Sequence, residues 1–170
     1  VSGVCGKQPE VASLQDLLIH QLKGIGYLAD SLRKRGIKDF EADIFTVEAL
    51  FTTVTNVNFD FQAIKEVVVK GDALKKRLSK QLIDCGADIN EFPESALFTI
   101  ASTDTELIAQ GVEYGILSEQ PDQNIRSLQQ LLTYGLKGMA AYADHAYILG
   151  KTDDTIFAFF HQALSYLNNK

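Results

Sequence analysis

Few side chains in this sequence carry chemistry: two cysteines, three histidines and scattered carboxylates. Cys5 and Cys85 stand far apart with no CxxC pair, which indicates neither a disulfide framework nor a zinc site. His20, His145 and His161 show no H-x-x-x-H spacing, and none is at metal-ligand spacing from a cysteine. They read as helix-surface or half-buried histidines. P-loop, GxSxG and GxGxxG patterns are all missing. Cys85, just before Gly86 at a helix end, is expected to act as a small hydrophobe. Asp84, Asp88 and Glu91 read as solvated acidic surface, and Lys75-Lys76-Arg77 with Lys80 as a solvent face. Cys5 differs, lying between glycines in Gly3-Val4-Cys5-Gly6-Lys7. Such a backbone can wrap closely around a metal centre, as thiolate-bound iron–sulfur clusters require, but one cysteine cannot hold a cluster.

Composition narrows the classes. With 46% apolar residues among 170, the chain is long enough to bury about 70% of its unfolded surface without disulfides. Lys+Arg number 16 against 22 Asp+Glu, a net charge of −6, so no nucleic-acid partner is expected. Apolar runs such as Ile156 to Phe160 fall far short of a membrane span, and no charged leader precedes an apolar segment. The expectation is a soluble, cytoplasmic protein. The loop-like start at Val1, with no Met, suggests a segment of something longer.

The elements that must position these residues are helices. Leu14, Leu17, Leu18, Leu22, Ile25, Leu28 and Leu32 recur at three- and four-residue steps, predicting a helix over 12–35 that stops at Gly36. Further helices are expected over 42–55, over 61–84 with Asp60 as N-cap, over 104–115 from the capping box Thr103-Asp104-Thr105-Glu106, from Pro121-Asp122 to Gly150, and over 154–168. Gly86 to Pro93 reads as a loop. No segment alternates as a strand does, so the class is all-α. Phe157, Phe159, Phe160, Tyr166 and Leu167 are expected in the core.

The sequence also repeats. Residues 13–36 laid on 127–150 agree at eleven of 24 positions, pairing Ser13-Leu14-Gln15 with Ser127-Leu128-Gln129, Leu22-Lys23-Gly24 with Leu136-Lys137-Gly138, and Gly36 with Gly150. The offset of 114 predicts two tandem, similar three-helix bundles: 1–10 as the remnant of a cluster loop, 11–90 as the first bundle, and 91–170 as linker and second bundle. Gly24 and Gly138 lie mid-helix, where Gly costs about 1 kcal/mol relative to Ala. Close helix approach is the expected compensation, and contact with a ligand the alternative.

Three ordered blocks resemble the hybrid-cluster (prismane) family, the hydroxylamine reductases. They are Gly3 to Lys7 with Leu14 to Leu18 and Leu22-Lys23-Gly24, then Leu50 to Asp60, then Tyr134 to Ala146. The resemblance spans nearly the whole chain. It implies an oxidoreductase with a cubane-type iron–sulfur cluster held by four cysteines near the N-terminus, and a hybrid iron–sulfur–oxygen cluster at which hydroxylamine or nitric oxide is reduced. By that resemblance Cys5 is the last of the four cysteine ligands, the other three lying upstream. The hybrid-cluster ligands lie beyond residue 170, so no catalytic residue is assigned and the segment by itself is expected to be silent. The partners implied are the remaining domains of the parent enzyme and its electron-donor protein. Two other readings stay open: a metal-free helical interaction module, and the related helical domain of a carbon monoxide dehydrogenase.

Overall fold

The structure is a computed structural model and describes residues 6–115 and 122–168. Among these residues the regular elements are helices: α1 (Pro9–Arg33), α2 (Phe40–Thr52), α3 (Phe61–Asp84), α4 (Glu94–Leu97), α5 (Asp104–Glu113), α6 (Gln123–Ile148) and α7 (Asp154–Tyr166). The chain is all-α, as its periodicity predicts.

Local chemistry sets the helix ends. Asp39, Asp60, Asp122 and Asp153 each accept hydrogen bonds from backbone N–H groups of the first turn of the helix that follows, satisfying donors that have no partner within the helix. At α5 the Thr103 hydroxyl accepts from the Glu106 N–H and donates to the Glu106 carboxylate at 2.7 Å. Gly36 and Gly150 take φ of +80° and +71°. Each closes a Schellman turn, with Ile37 N–H donating to Leu32 and Lys151 N–H to Ala146. The first helix begins at Pro9 rather than 12, because Pro suits the first helical position, where no N–H is needed.

α1 is the central helix. α3 and α7 pack along it, with α5, α4 and α2 filling the remaining sides. Leu14, Leu17, Leu18, Leu22, Ile25 and Leu28 are all fully buried. α2 is the main seat of α6, which also touches α7. One apolar cluster runs from Val11 through Phe45, Leu78 and Leu107 to Phe160 and Leu167, so the segments 11–90 and 91–170 share a core.

Expectations change at several places, and α6 is unevenly covered. Residues 86–97 contain a short 3-10 turn, Ile89–Glu91, and then α4, where only a loop to Pro93 is predicted. A four-residue helix is too short to leave a periodic signal. Lys75 is not on a solvent face: it is 2% exposed, its ammonium donating to the Phe98 carbonyl and lying 3.4 Å from the centroid of the Phe98 ring. α6 buries Leu136 but leaves Leu128, Leu131, Met139 and Leu149 exposed. Phe157, Phe160 and Leu167 are core, whereas Phe159 and Tyr166 face outward.

Of the paired glycines, Gly24 packs as expected. A Cβ there would run into the Ser95 carbonyl of α4. Gly138 has open space around the position a Cβ would take.

Candidate functional site

Cys5, the ligand that the resemblance implies, lies outside the described residues. The residues that follow it are firmly held. Lys7 is buried, and its ammonium donates to Gln15 Oε1 at 2.8 Å and lies 5.5 Å from the centre of the Phe59 ring. Gln15 is itself fixed, its amide N–H donating to the carbonyls of Thr52 and Asn58 at 3.3 Å each. Asn58 closes the turn by donating to Thr52 Oγ1. One buried amide thus joins the strand of chain leaving Cys5 to the α2–α3 turn, and so ties together two of the three family-like blocks.

The third block, on α6, approaches the same region. Burial lowers the pKa of Lys137, partly offset by the Asp16 carboxylate, and the Lys7 ammonium lowers it further. Between α1 and α6 a cavity of about 30 Å³ is lined by Asp16, His20, Lys23, Gln130, Thr133 and Lys137 among others. It is polar and holds a water-sized volume. His20 forms one wall, stacked on Tyr114 at 3.8 Å and 2.8 Å from Glu94.

His161 is 1% exposed, more deeply buried than a helix-surface reading allows. Arg33 Nε donates to its Nδ1 at 3.3 Å, and its Nε2 is 3.2 Å from Thr46 Oγ1. Arg only donates, so Nδ1 accepts and the ring proton sits on Nε2. Burial, then the Arg33 charge, push the pKa of His161 down to about 3. The Arg33 guanidinium also bonds Asp43 and Asp154, at 2.6 Å each. This group joins α1, α2 and α7. His145 is exposed, edge-on to Phe51.

Cys85 caps α3 as a free thiol at the helix end, and it is exposed rather than packed as a small hydrophobe, because the helix ends there on the surface. Asp84, Asp88 and Glu91 are exposed as predicted. Among the described residues no group of three or more His, Cys, Asp or Glu side chains is placed to hold a metal ion. The described residues therefore do not by themselves make a cluster site.

The family model described as Prismane/CO dehydrogenase matches residues 1–170. The chain belongs to the Prismane/CO dehydrogenase family. Hydroxylamine reductase of Geobacter sulfurreducens is 44% identical over 97% of this chain and 31% of its own length. The hydroxylamine reductases of Thermoanaerobacter pseudethanolicus and Methanocella arvoryzae are 46% and 43% identical, over 97% and 99% of the chain. The chain spans about a third of the length of these curated relatives. As a prismane-family segment it is related to iron–sulfur oxidoreductases, in agreement with the resemblance its blocks carry.

Sequence reasoning on single residues missed the Lys7–Gln15 anchor. Its signal was present in the repeat: Gln15 and Gln129 are 114 residues apart, and Gln129 donates to the Leu167 carbonyl at the end of α7, as Gln15 does to Thr52 at the end of α2.

Proposed function

We propose that this chain is a helical scaffold of a hydroxylamine reductase-type iron–sulfur oxidoreductase, with Cys5 as one of four ligands to an N-terminal cubane-type cluster. The observation that supports this is 43–46% identity to hydroxylamine reductases across nearly the whole chain. In this reading the Lys7–Gln15–Thr52 anchor holds the chain next to Cys5 at a fixed place against α1 and the α2–α3 turn. The hybrid cluster, supplied by other domains, would be where hydroxylamine takes up two electrons and two protons to give ammonia and water. Nitric oxide is the other candidate substrate. The segment itself is not catalytic. It covers the cluster domains and places the N-terminal relay beside them, within a cytoplasmic enzyme fed by an electron-donor protein. Residues 1–10 belong to the cluster loop, with 11–90 and 91–170 as repeated helical units.

The family description also embraces carbon monoxide dehydrogenases, so the test must separate the two activities. The longer reading frame, expressed without oxygen, is expected to oxidise reduced viologen when hydroxylamine is added. Cys5→Ser should lower its iron and sulfide content, and the 170-residue chain alone should be inactive. Carbon monoxide oxidation without hydroxylamine reduction, or a metal-free product of the full frame, would overturn the proposal.

A further inference from the structure

A groove of about 300 Å³ lies between the second half of α3 and the chain around α4, a size at the lower end of small-molecule sites. Lys76, Lys80 and Ile83 are spaced i, i+4 and i+7, so one face of α3 turns two ammonium groups and an isoleucine into it. Ile89, Leu97 and Phe98 supply the other wall. Ile83, Ile89 and Leu97 are 39%, 46% and 46% exposed, so apolar surface gathers here in contact with water. Phe98 is held in place, its ring edge-on to His20 at 4.9 Å and tilted against Tyr114 at 5.5 Å.

The groove is positive in a chain whose net charge is −6. Lys75, Lys76 and Lys80 line it, and no carboxylate is among the described residues that do. Asp72 offsets part of this charge, 2.6 Å from Lys76 Nζ and 3.9 Å from Lys75 Nζ, whereas Lys80 has no ion-pair partner among the described residues. Glu94 also acts on Lys75, but its carboxylate is engaged by His20 at 2.8 Å and by the Tyr114 hydroxyl at 2.7 Å. Burial outweighs both carboxylates and pushes the Lys75 pKa down to about 8, so its charge is under-compensated.

We propose that this groove binds a small organic anion, a carboxylate that carries an apolar body of one or two rings or a short alkyl chain. The carboxylate sits between Lys76 and Lys80, whose flexible stems bring point charges to it. The body lies against Ile83, Ile89 and Leu97. Neither half suffices alone, because exposed lysines gain little from an anion in water and apolar contact gives no orientation. A long polyanion is a poorer match, since these lysines share a pocket with an apolar wall and the chain as a whole is acidic. The hydroxylamine reductase reading assigns no role to any residue of the groove, so the two stand or fall separately.

The test titrates 2-naphthoate into the whole protein and into the 170-residue chain, with binding read by saturation-transfer NMR and folding by circular dichroism. Ordinary contact efficiency for a ligand of this size predicts a Kd of about 1 mM or below. Its neutral isostere 2-naphthamide and the bare anion acetate should each bind at least tenfold more weakly. Lys80→Glu and Leu97→Glu alter exposed side chains on opposite walls, and each should weaken naphthoate at least tenfold. Lys151→Glu makes the same change in net charge at an exposed position elsewhere and should leave the affinity unchanged. Absence of saturation at millimolar naphthoate overturns the proposal. Equal affinity for naphthamide reduces the groove to an apolar patch, and equal weakening by Lys80→Glu and Lys151→Glu reduces it to a net-charge effect; either result overturns it. Binding to the 170-residue chain but not to the whole protein assigns the groove to a contact with another domain and also overturns it. Activity and iron content, which decide the hydroxylamine reductase reading, do not enter these measurements.

Discussion

Gly24 and Gly138 occupy the same place in the repeat, yet substitution at the two is expected to have opposite effects. A methyl group at Gly24 would be driven into the backbone of α4 at Ser95, and backbone cannot rotate away as a side chain can. Gly24→Ala should destabilise the chain by about 1–3 kcal/mol, the range of overpacked sites. Gly138→Ala in the 170-residue chain meets open space and removes the helical penalty of glycine, for a gain of up to about 1 kcal/mol. Urea-unfolding midpoints of the two variants would test this, and loss of stability in both would show that α6 is covered in this chain. Sequence identity at a glycine thus says that the backbone is special there, while the neighbour that makes it so is tertiary. The same limit applies to Lys75. Its run of cations reads as solvent-facing, and the groups that offset its burial, the carbonyl and ring of Phe98 and the Asp72 carboxylate 3.9 Å away, lie outside that local pattern.

At the scale of elements, α1, α2 and α7 are joined through Arg33, Asp43, Asp154, Thr46 and His161. This joint has a defined pH dependence. An unfolded histidine titrates near 6.5, whereas burial and the Arg33 charge hold folded His161 near 3. Between these values the unfolded chain binds a proton that the folded chain refuses, so stability falls as pH drops through the window, by at most about 1.4 kcal/mol per pH unit. His161→Gln keeps an acceptor for Arg33 and a donor for Thr46 but does not titrate. Its stability should fall less steeply with acidification, by about one proton, in urea unfolding from pH 7 to 4. Parallel slopes for the two proteins would mean that His161 protonates freely in the folded state. The helices themselves were largely legible in the sequence, because their limits are set by local groups. α3 matches its expected span at both ends, with Asp60 as its cap, and α7 begins where expected. The joint was not legible, since Arg33 and His161 are 128 residues apart and no local pattern brings them together. Of the candidate site, the glycine-flanked Cys5 could be picked out, but its anchor through Gln15 depends on two turns meeting in space.

Across the whole molecule the two repeats are bound together asymmetrically. α1 is enclosed by α3, α7, α5, α4 and α2, while α6 rests on α2 and touches α7 with its outer apolar arc exposed. The shared core makes α1, α3 and α7 one cooperative unit, because none can open without exposing leucines that another covers. α6 has fewer such ties. Opening it exposes chiefly Leu136 and Ala140, together with the facing part of α2. Hydrogen exchange of the 170-residue chain, followed by mass spectrometry, should therefore find the amides of α1 and α3 exchanging together and most slowly, through global unfolding. Those of α6 should exchange at least tenfold faster, through a smaller opening, although α6 is the longer helix by one residue. Chain length and intrinsic propensity predict equal protection for the two helices, and burial alone predicts the difference. Equal rates in α1 and α6 would mean that α2 and α7 bind α6 into the same cooperative unit.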